Sequence, residues 1–563
     1  MAANNSKAAQ RPFFLFLGIW VLLNWGQAAL TPPDPDEAYY WLYAQRLDWG
    51  YFDHPPMLAL CLAIGGLFSK GALGMRLLLP LMQAGALWLT WRLAGSPAEP
   101  RRWGLLFALL LAMPLFQLYG FIAAPDAPLL FFTALFFWAY QLYLSRKGIM
   151  PVLLLGFAMA ALMYSKYHGV LIVFFTLLSN LRLLRKPSFY AASIAGLVLF
   201  LPHLYWQYTH DFPSFRYHLQ GRDDVYELKH TITYLVNQLV VFSPLLFPFL
   251  AIAFWKRPSA DPLERAYKWT IGGFWLFFLW ATSKGHVEPQ WTSVLCLPLA
   301  LLAFAHSADK GLWQRWLWRL SLVSIVLMLV LRTMLIVEAW RPAQFNKQFN
   351  NREWVEAMRK EAAGKPVVFQ NSYRLAAVYT FYTREEVYNF TDAHYRKSQF
   401  DIWDTETKLH NQSVLVAGQS DFSCPQCKPF QVSKKNFTLF TIDSLQVSQK
   451  ASLTPLKKPG AFAAGETIHL PVKINNPYNH PIRFDLPSCP IQPAVLLFID
   501  NDHVIELPAS WSITKVSAQS ETKTKLIFTV PTEYKGHYDC VLGLRTSVLP
   551  AAVSSTSWPV YVK

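Results

Sequence analysis

The stretch Pro33-Asp34-Pro35-Asp36-Glu37-Ala38-Tyr39-Tyr40-Trp41 follows directly on an apolar run, Pro12–Leu30. It sets carboxylates at the edge of a membrane-length segment, with aromatic side chains behind them. Charge at that depth is costly unless it is paired or lines a wet cavity, so the pair Asp36-Glu37 reads as part of a site. Asp34 is suited to cap a helix that has Pro35 at its first position, where the missing N–H costs nothing. Asp36 and Glu37 then fall in the first turn, where the helix dipole favours their ionised forms. A capped helix start is the plain structural reading. An ionised carboxylate held at that edge can also accept a proton from a hydroxyl nucleophile.

The rest of the chain supplies the membrane. Of 563 residues 53% are hydrophobic, with 22 Trp, and repeated runs of about 20 residues with few charges indicate a polytopic α-helical membrane protein. These runs stop near Val337, and the remainder has the ordinary composition of soluble domains. The formal charge of +16 does not point to nucleic acid, because much of the excess lies in short loops. These are Arg92 with Arg101-Arg102, Arg146-Lys147, Arg182–Lys186, Lys256–Lys268 and Lys310–Arg319. Lys and Arg in short loops mark the cytoplasmic side. The run after Met1–Arg11 has no convincing small-residue cleavage site, so an uncleaved first helix is expected.

About 11 spans are expected, at 12–30, 72–91, 103–120, 127–145, 149–164, 168–184, 188–206, 233–255, 269–283, 291–307 and 319–338. An odd number puts the tail opposite the N-terminus. Pro56–Phe68 is short for a span and is expected along the interface. The non-cytoplasmic edges then gather Asp36, Glu37, Asp53, His54, Asp126, Lys166 and His168. His210, Arg216, His218 and Arg222 join them from Gln207–Thr231, and Lys284, His286 and Glu288 from a later edge. Carboxylates, imidazoles and cations from separate segments converge on one face, which makes that face the candidate active site. A transporter would instead be expected to carry its polar groups inside the spans.

Three ordered motifs carry a resemblance: Asp36-Glu37 after the first span, Gly50-Tyr51-Phe52-Asp53-His54-Pro55-Pro56, and Pro125-Asp126-Ala127-Pro128. Over about residues 12–340 the chain resembles the integral-membrane GT-C glycosyltransferases, in the protein O-mannosyltransferase and aminoarabinose transferase branch. It is similar to bacterial members that glycosylate lipid A and lipopolysaccharide core. The resemblance implies a polyprenyl-phosphate sugar donor, an acceptor hydroxyl or phosphate on an envelope lipid or glycan, and inversion at the anomeric carbon. It implies Asp36 as base, Glu37 as the residue that helps place the acceptor, and Asp126 as a second acid. Where the aminoarabinose transferases have a Lys that contacts the donor phosphate, this chain has His54. Lys166, His168, Arg222 and Lys284, with Asp53, His286 and Glu288, are the remaining substrate and phosphate candidates. A phosphate leaving group is served by neutralising cations rather than by a general acid, so no cofactor is required. A divalent metal at Asp53 and His286 is a weak candidate. The resemblance implies the bacterial inner membrane as location, with the tail in the periplasm. Protein O-glycosylation by the same fold, and a lipid flippase, are the alternative readings.

The tail divides by pattern. Residues 341–450 mix an amphipathic stretch, Glu353–Ala363, with β-rich runs at Pro366–Phe369, Ser413–Ala417 and Phe437–Ile442, as in a small α/β domain. Residues 451–563 carry Thr467–Ile474, Ala494–Ile499, Thr524–Val530 and Tyr538–Leu544 between turn residues, as in an immunoglobulin-like β-sandwich. An oxidising compartment permits disulfides Cys424–Cys427 and Cys489–Cys540.

Overall fold

The computed structural model describes residues 2–220, 226–259, 261–418, 424–499 and 503–563, with the side chains of 2–10, 219, 220, 344 and 347 left aside. The chain forms two compact units, Met1–Phe349 and Asn350–Lys563.

The first unit is helical. Among the described residues, six helices are long and apolar enough to cross a membrane: Arg11–Leu30, Gly71–Leu93, Asp126–Ser145, Pro187–Thr209, Pro289–His306 and Gly311–Ile336. Several other expected spans are shorter or broken. The stretch 103–120 divides into Pro100–Leu111 and Pro114–Leu118, because proline lacks an N–H and pushes the residue before it out of the helical region. That residue, Met113, has ψ 117°. The stretch 233–255 divides into Leu228–Val241 and Phe247–Lys256. Between them Ser243, which also precedes a proline, has φ 67°. Met57–Phe68 is a separate helix of 12 residues, about 18 Å long at 1.5 Å per residue and too short to span.

Small residues let the helices approach. A Cβ on Gly156 would lie 2.5 Å from the Ala192 carbonyl oxygen, and one on Gly196 would lie 2.9 Å from that of Gly156. Helices Ile149–Ser165 and Pro187–Thr209 therefore meet backbone to backbone, the usual device where lipid removes the hydrophobic drive between helices. Gly50 serves the loop after helix Pro35–Gln45 in the same way, since a Cβ there would sit 2.3 Å from the Trp206 ring.

The second unit begins with helices Arg352–Ala362 and Tyr373–Thr383. A five-stranded sheet accompanies them, in the order Tyr388–Phe390, Val367–Gln370, Val414–Gly418, Lys435–Ile442, Lys428–Val432. Its first three strands are parallel and the last two join antiparallel. A strand-rich region follows. Ser452–Pro455, Thr467–Asn476 and Ser520–Thr529 form one layer, and Ile491–Phe498, Gly536–Thr546, Trp558–Val562 and Ala461–Phe462 the other. Val504–Ser510 joins the layers, pairing with Ile491–Phe498 along its length and with Ser520–Thr529 only through Ala509 and Ser510. Alternation places Leu470, Val472 and Ile474 inward against Leu497, Leu526, Leu542 and Val562.

Cys424 and Cys427 form a disulfide. Cys489 and Cys540 do not; both are buried thiols. Register explains the difference. Cys540 lies opposite Leu497, while Ile491, two residues after Cys489, lies opposite Thr546. The two cysteines are thus far apart along paired strands, beyond disulfide reach.

Candidate active site

Asp34 caps helix Pro35–Gln45, accepting from the Asp36 N–H at 2.8 Å, and the Glu37 side chain returns to the Asp34 N–H at 2.9 Å. This reciprocal box fixes the start of the helix. Glu37 also accepts from the Ala123 N–H at 2.6 Å and from Arg76 Nε at 2.7 Å, with a further contact from Arg76 Nη2. Arg76 in turn donates to the carbonyls of Ala28, Thr31 and Pro32 at 2.8, 2.7 and 3.2 Å. It thereby closes the C-terminal end of the first helix, where a cation is electrostatically favoured. Glu37 is 1% exposed and Arg76 is fully buried. Both Glu37 oxygens are engaged, so it anchors the helix start that carries Asp36.

Asp126 stands likewise. It is 2% exposed, with Lys166 Nζ at 2.8 Å and Ser293 Oγ at 3.0 Å. The expected second acid and the expected phosphate cation neutralise each other. Together they tie the start of helix Asp126–Ser145 to the end of Ile149–Ser165 and to the turn Pro289–Leu295.

Asp36 differs, being only half-buried. Asp36, Tyr40 and Tyr43 recur at intervals of four and three and so share one face of the helix. Tyr40 Oη is 3.2 Å from His54 Nε2, and Tyr43 donates to Asp53 Oδ1 at 2.7 Å. Asp36 thus lies on the helix face whose tyrosines hold Asp53 and His54. The loop carrying Asp53 and His54 is itself held from several sides. Tyr43 and Tyr51 stack at 4.1 Å, His203 Nδ1 lies 2.7 Å from the Trp49 carbonyl oxygen, and Trp206 donates to Asp48 at 2.9 Å. Ser214 donates to the Tyr51 carbonyl at 2.9 Å, and His218 Nε2 is 3.2 Å from that of Asp53.

A second group forms around His168, whose ring lies 5.1 Å from Trp291 and 5.2 Å from Phe278. On the segment leading to Trp291, Lys284 and His286 are exposed, and His286 Nε2 lies 3.9 Å from Glu288. His230 comes within 6.5 Å of the His286 ring. Arg222 falls outside the described residues. Among the described residues no three His, Cys, Asp or Glu side chains converge as a metal site needs.

Sequence reasoning passed over Arg76, Tyr40, Tyr43 and a buried polar cluster around Arg332. Arg332 donates to Asn24 at 2.9 Å, to Gln27 at 3.3 Å and to Gln117 at 3.4 Å. It lies over Phe121 at 4.6 Å and Trp20 at 5.3 Å. Among the described residues no carboxylate pairs with it. An arginine inside an apolar helix was the signal available for this cluster.

A family described as dolichyl-phosphate-mannose-protein mannosyltransferase matches residues 53–206. The protein ArnT of Cupriavidus metallidurans, in its apo state, superposes with TM-score 0.58 at 13% identity, covering 77% of this chain and 98% of that one. Its form bound to undecaprenyl phosphate gives 0.57 at 14%, covering 76% and 98%. The chain therefore has the GT-C glycosyltransferase fold, with a strand-rich C-terminal region. In sequence it is similar to a lipid A galacturonosyltransferase of Rhizobium johnstonii, at 28% identity over 247 residues, 42% of this chain. That match spans about half, 52%, of the relative's length. The chain resembles GT-C enzymes that modify lipid A.

Proposed function

We propose that this protein is an inverting glycosyltransferase that moves a sugar from a polyprenyl-phosphate donor to a hydroxyl or phosphate of lipid A or lipopolysaccharide core. It would act at the external face of the bacterial inner membrane, with the tail in the periplasm, as the positive loops suggest. The observation that carries the reading is the contrast between neighbours at one helix start. Glu37 is locked to Arg76 and Ala123, while Asp36 is half-buried on the face shared with Asp53 and His54.

Asp36, kept ionised by the helix N-terminus, takes the proton of the acceptor hydroxyl as its oxygen attacks the anomeric carbon. The bond from that carbon to the donor phosphate oxygen breaks, and the polyprenyl phosphate leaves with the electron pair. Lys284 is the cation assigned to that phosphate, with His54 as a hydrogen-bonding partner; the phosphate needs charge neutralisation rather than a proton. No cofactor enters this scheme, and transfer should persist after dialysis against EDTA.

The test is transfer in vitro by purified protein, with a polyprenyl-phosphate sugar and lipid A. Asp36→Asn should lower turnover by about 10²–10⁴, the usual contribution of a general base. Full turnover by Asp36→Asn would remove Asp36 from the base role. A second reading, transfer to exported protein, draws on the family description, and a protein acceptor in the same assay separates the two. Passage of lipid across the bilayer with no glycosyl transfer would favour a flippase.

A further inference from the structure

We propose that the stacked imidazoles of His410 and His480 form an acid-sensitive latch in the tail unit, closed while the rings are neutral and opened as they take up protons. The latch rests on the tail alone and holds whatever reaction the membrane unit performs. The two rings come from distant parts of the chain. His410 ends the short helix Thr405–Leu409, which precedes strand Val414–Gly418 of the five-stranded sheet. His480 follows strand Thr467–Asn476 of the strand-rich region. Leu409, Val447 and Tyr478 belong to one continuous buried core, so the histidines stand at the rim where the two regions join. Their rings lie nearly parallel, with centroids 3.5 Å apart at an interplanar angle of 18°. The Tyr478 ring stacks with that of His480 at 5.0 Å.

Hydrogen bonds keep the stack from sliding apart. His480 Nε2 lies 3.2 Å from the Val447 carbonyl oxygen, which can only accept, so that nitrogen carries the proton. Asn476, itself fully buried, donates to the His480 carbonyl at 2.8 Å and accepts from the Tyr478 N–H at 3.0 Å. Tyr478 in turn donates to Glu406 Oε1 at 3.2 Å. These bonds hold the loop 476–480 against the segment 405–410.

An added proton is badly placed here. An imidazolium donates from both nitrogens, yet His410 Nδ1 is buried with no partner among the described residues. Two stacked imidazolium rings would also set like charges face to face, which disfavours the second charge. Burial, with the neighbouring His480 ring, accordingly holds the His410 imidazole below its usual range. The other charged groups packed at this rim are paired among themselves or with outer partners. Lys450 lies 3.5 Å from Glu406 and also contacts Asp404, and Lys408 pairs with Glu386 at 2.7 Å. With the closed-state pKa of His410 depressed, the open form binds more protons. The closed form therefore loses stability as pH falls below about 6.5, the ordinary imidazole value.

The test is hydrogen exchange of the full-length protein in detergent, read by mass spectrometry at about pH 7.5 and about pH 5, on either side of the imidazole range. Rates are corrected for the pH dependence of chemical exchange. Peptides over residues 403–412 and 474–482 should open about tenfold or more at the lower pH, while the core strand Ile491–Phe498 stays protected. His410→Phe and His480→Phe keep an aromatic ring and remove the charge. Each should abolish the acid response and exchange as the parent does at the higher pH. The two report independently, so one that fails to fold leaves the other decisive. Glu406→Gln, which removes the buried carboxyl bonded to Tyr478, should keep the response. Equal protection of the parent at both pH values, or an acid response surviving in a folded Phe variant, would overturn the latch. Loss of the response in Glu406→Gln would assign it to that carboxyl and overturn the latch as well.

Discussion

In the membrane unit the Glu37–Arg76 pair has side-chain exposures of 1% and 0%, and Asp126–Lys166 has 3% and 8%. In the tail unit Arg359–Glu385 keeps 58% and 44% of its side chains in solvent. The same chemistry does different work in the two places. A buried pair must meet its desolvation cost with further hydrogen bonds, as Glu37 does with the Asp34 and Ala123 amides, and it then fixes the segments that supply those bonds. An exposed pair fixes little, since water screens it and both side chains lose freedom. The contrast locates rigidity: the loops of the membrane unit that carry the candidate site are pinned by charge, whereas the tail relies on its alternating apolar core.

Removing one partner of a buried pair should break the comparison most visibly. Arg76→Met leaves Glu37 buried and unpaired and uncaps three carbonyls. Thermal unfolding in detergent should show a loss of about 3–5 kcal/mol, with transfer lost beside it. Lys166→Met should destabilise in the same direction but less, because Ser293 still donates to Asp126; an unchanged melting point would mean that the pair is not closed in solution. Glu406 in the tail sharpens the contrast from the other side. Burial pushes its carboxyl above the usual range, opposed by Lys450. A carboxylate whose folded pKa is raised costs stability above that pKa and relinquishes the cost when protonated. Glu406→Gln should therefore raise the melting temperature at pH 7, with the gain shrinking toward about pH 4, near the ordinary carboxylate range. The smallest effect is expected for Arg359→Ala, within about 0–1 kcal/mol and weaker still in salt. A larger loss there would erase the distinction between the units.

Much of this fold was legible because hydropathy and alternation are local. The runs Thr467–Ile474 and Tyr538–Leu544 lie within strands Thr467–Asn476 and Gly536–Thr546, and Glu353–Ala363 lies within one residue of helix Arg352–Ala362. The capping box was legible too, since Asp34 and Glu37 are three residues apart. Hydropathy windows averaged over Pro114 and Pro244 and so read continuous spans where the backbone breaks. Partnerships across long separations were not legible either: Glu37 meets Arg76 and Ala123, and Asp126 meets Ser293, only once the helices pack. Compartment chemistry suggested a Cys489–Cys540 bond, but strand register, which composition does not encode, sets those thiols apart.

Arg332 bears on how the membrane unit is built. A guanidinium in the apolar second half of helix Gly311–Ile336 is expensive for a lone segment entering lipid, about 2.5–3.5 kcal/mol at a helix centre. Its acceptors Asn24 and Gln27 lie on the first helix, about 300 residues earlier (separations of 308 and 305). Gln117 lies between them in sequence. Asn24 also bonds Trp20 and Gln83, and Gln27 bonds Thr31, so Arg332 joins the last long helix to a polar cluster already knit within the earlier ones. Arg332 is therefore a clasp between two helices about 300 residues apart (separations of 308 and 305), and losing it would free both of them at once.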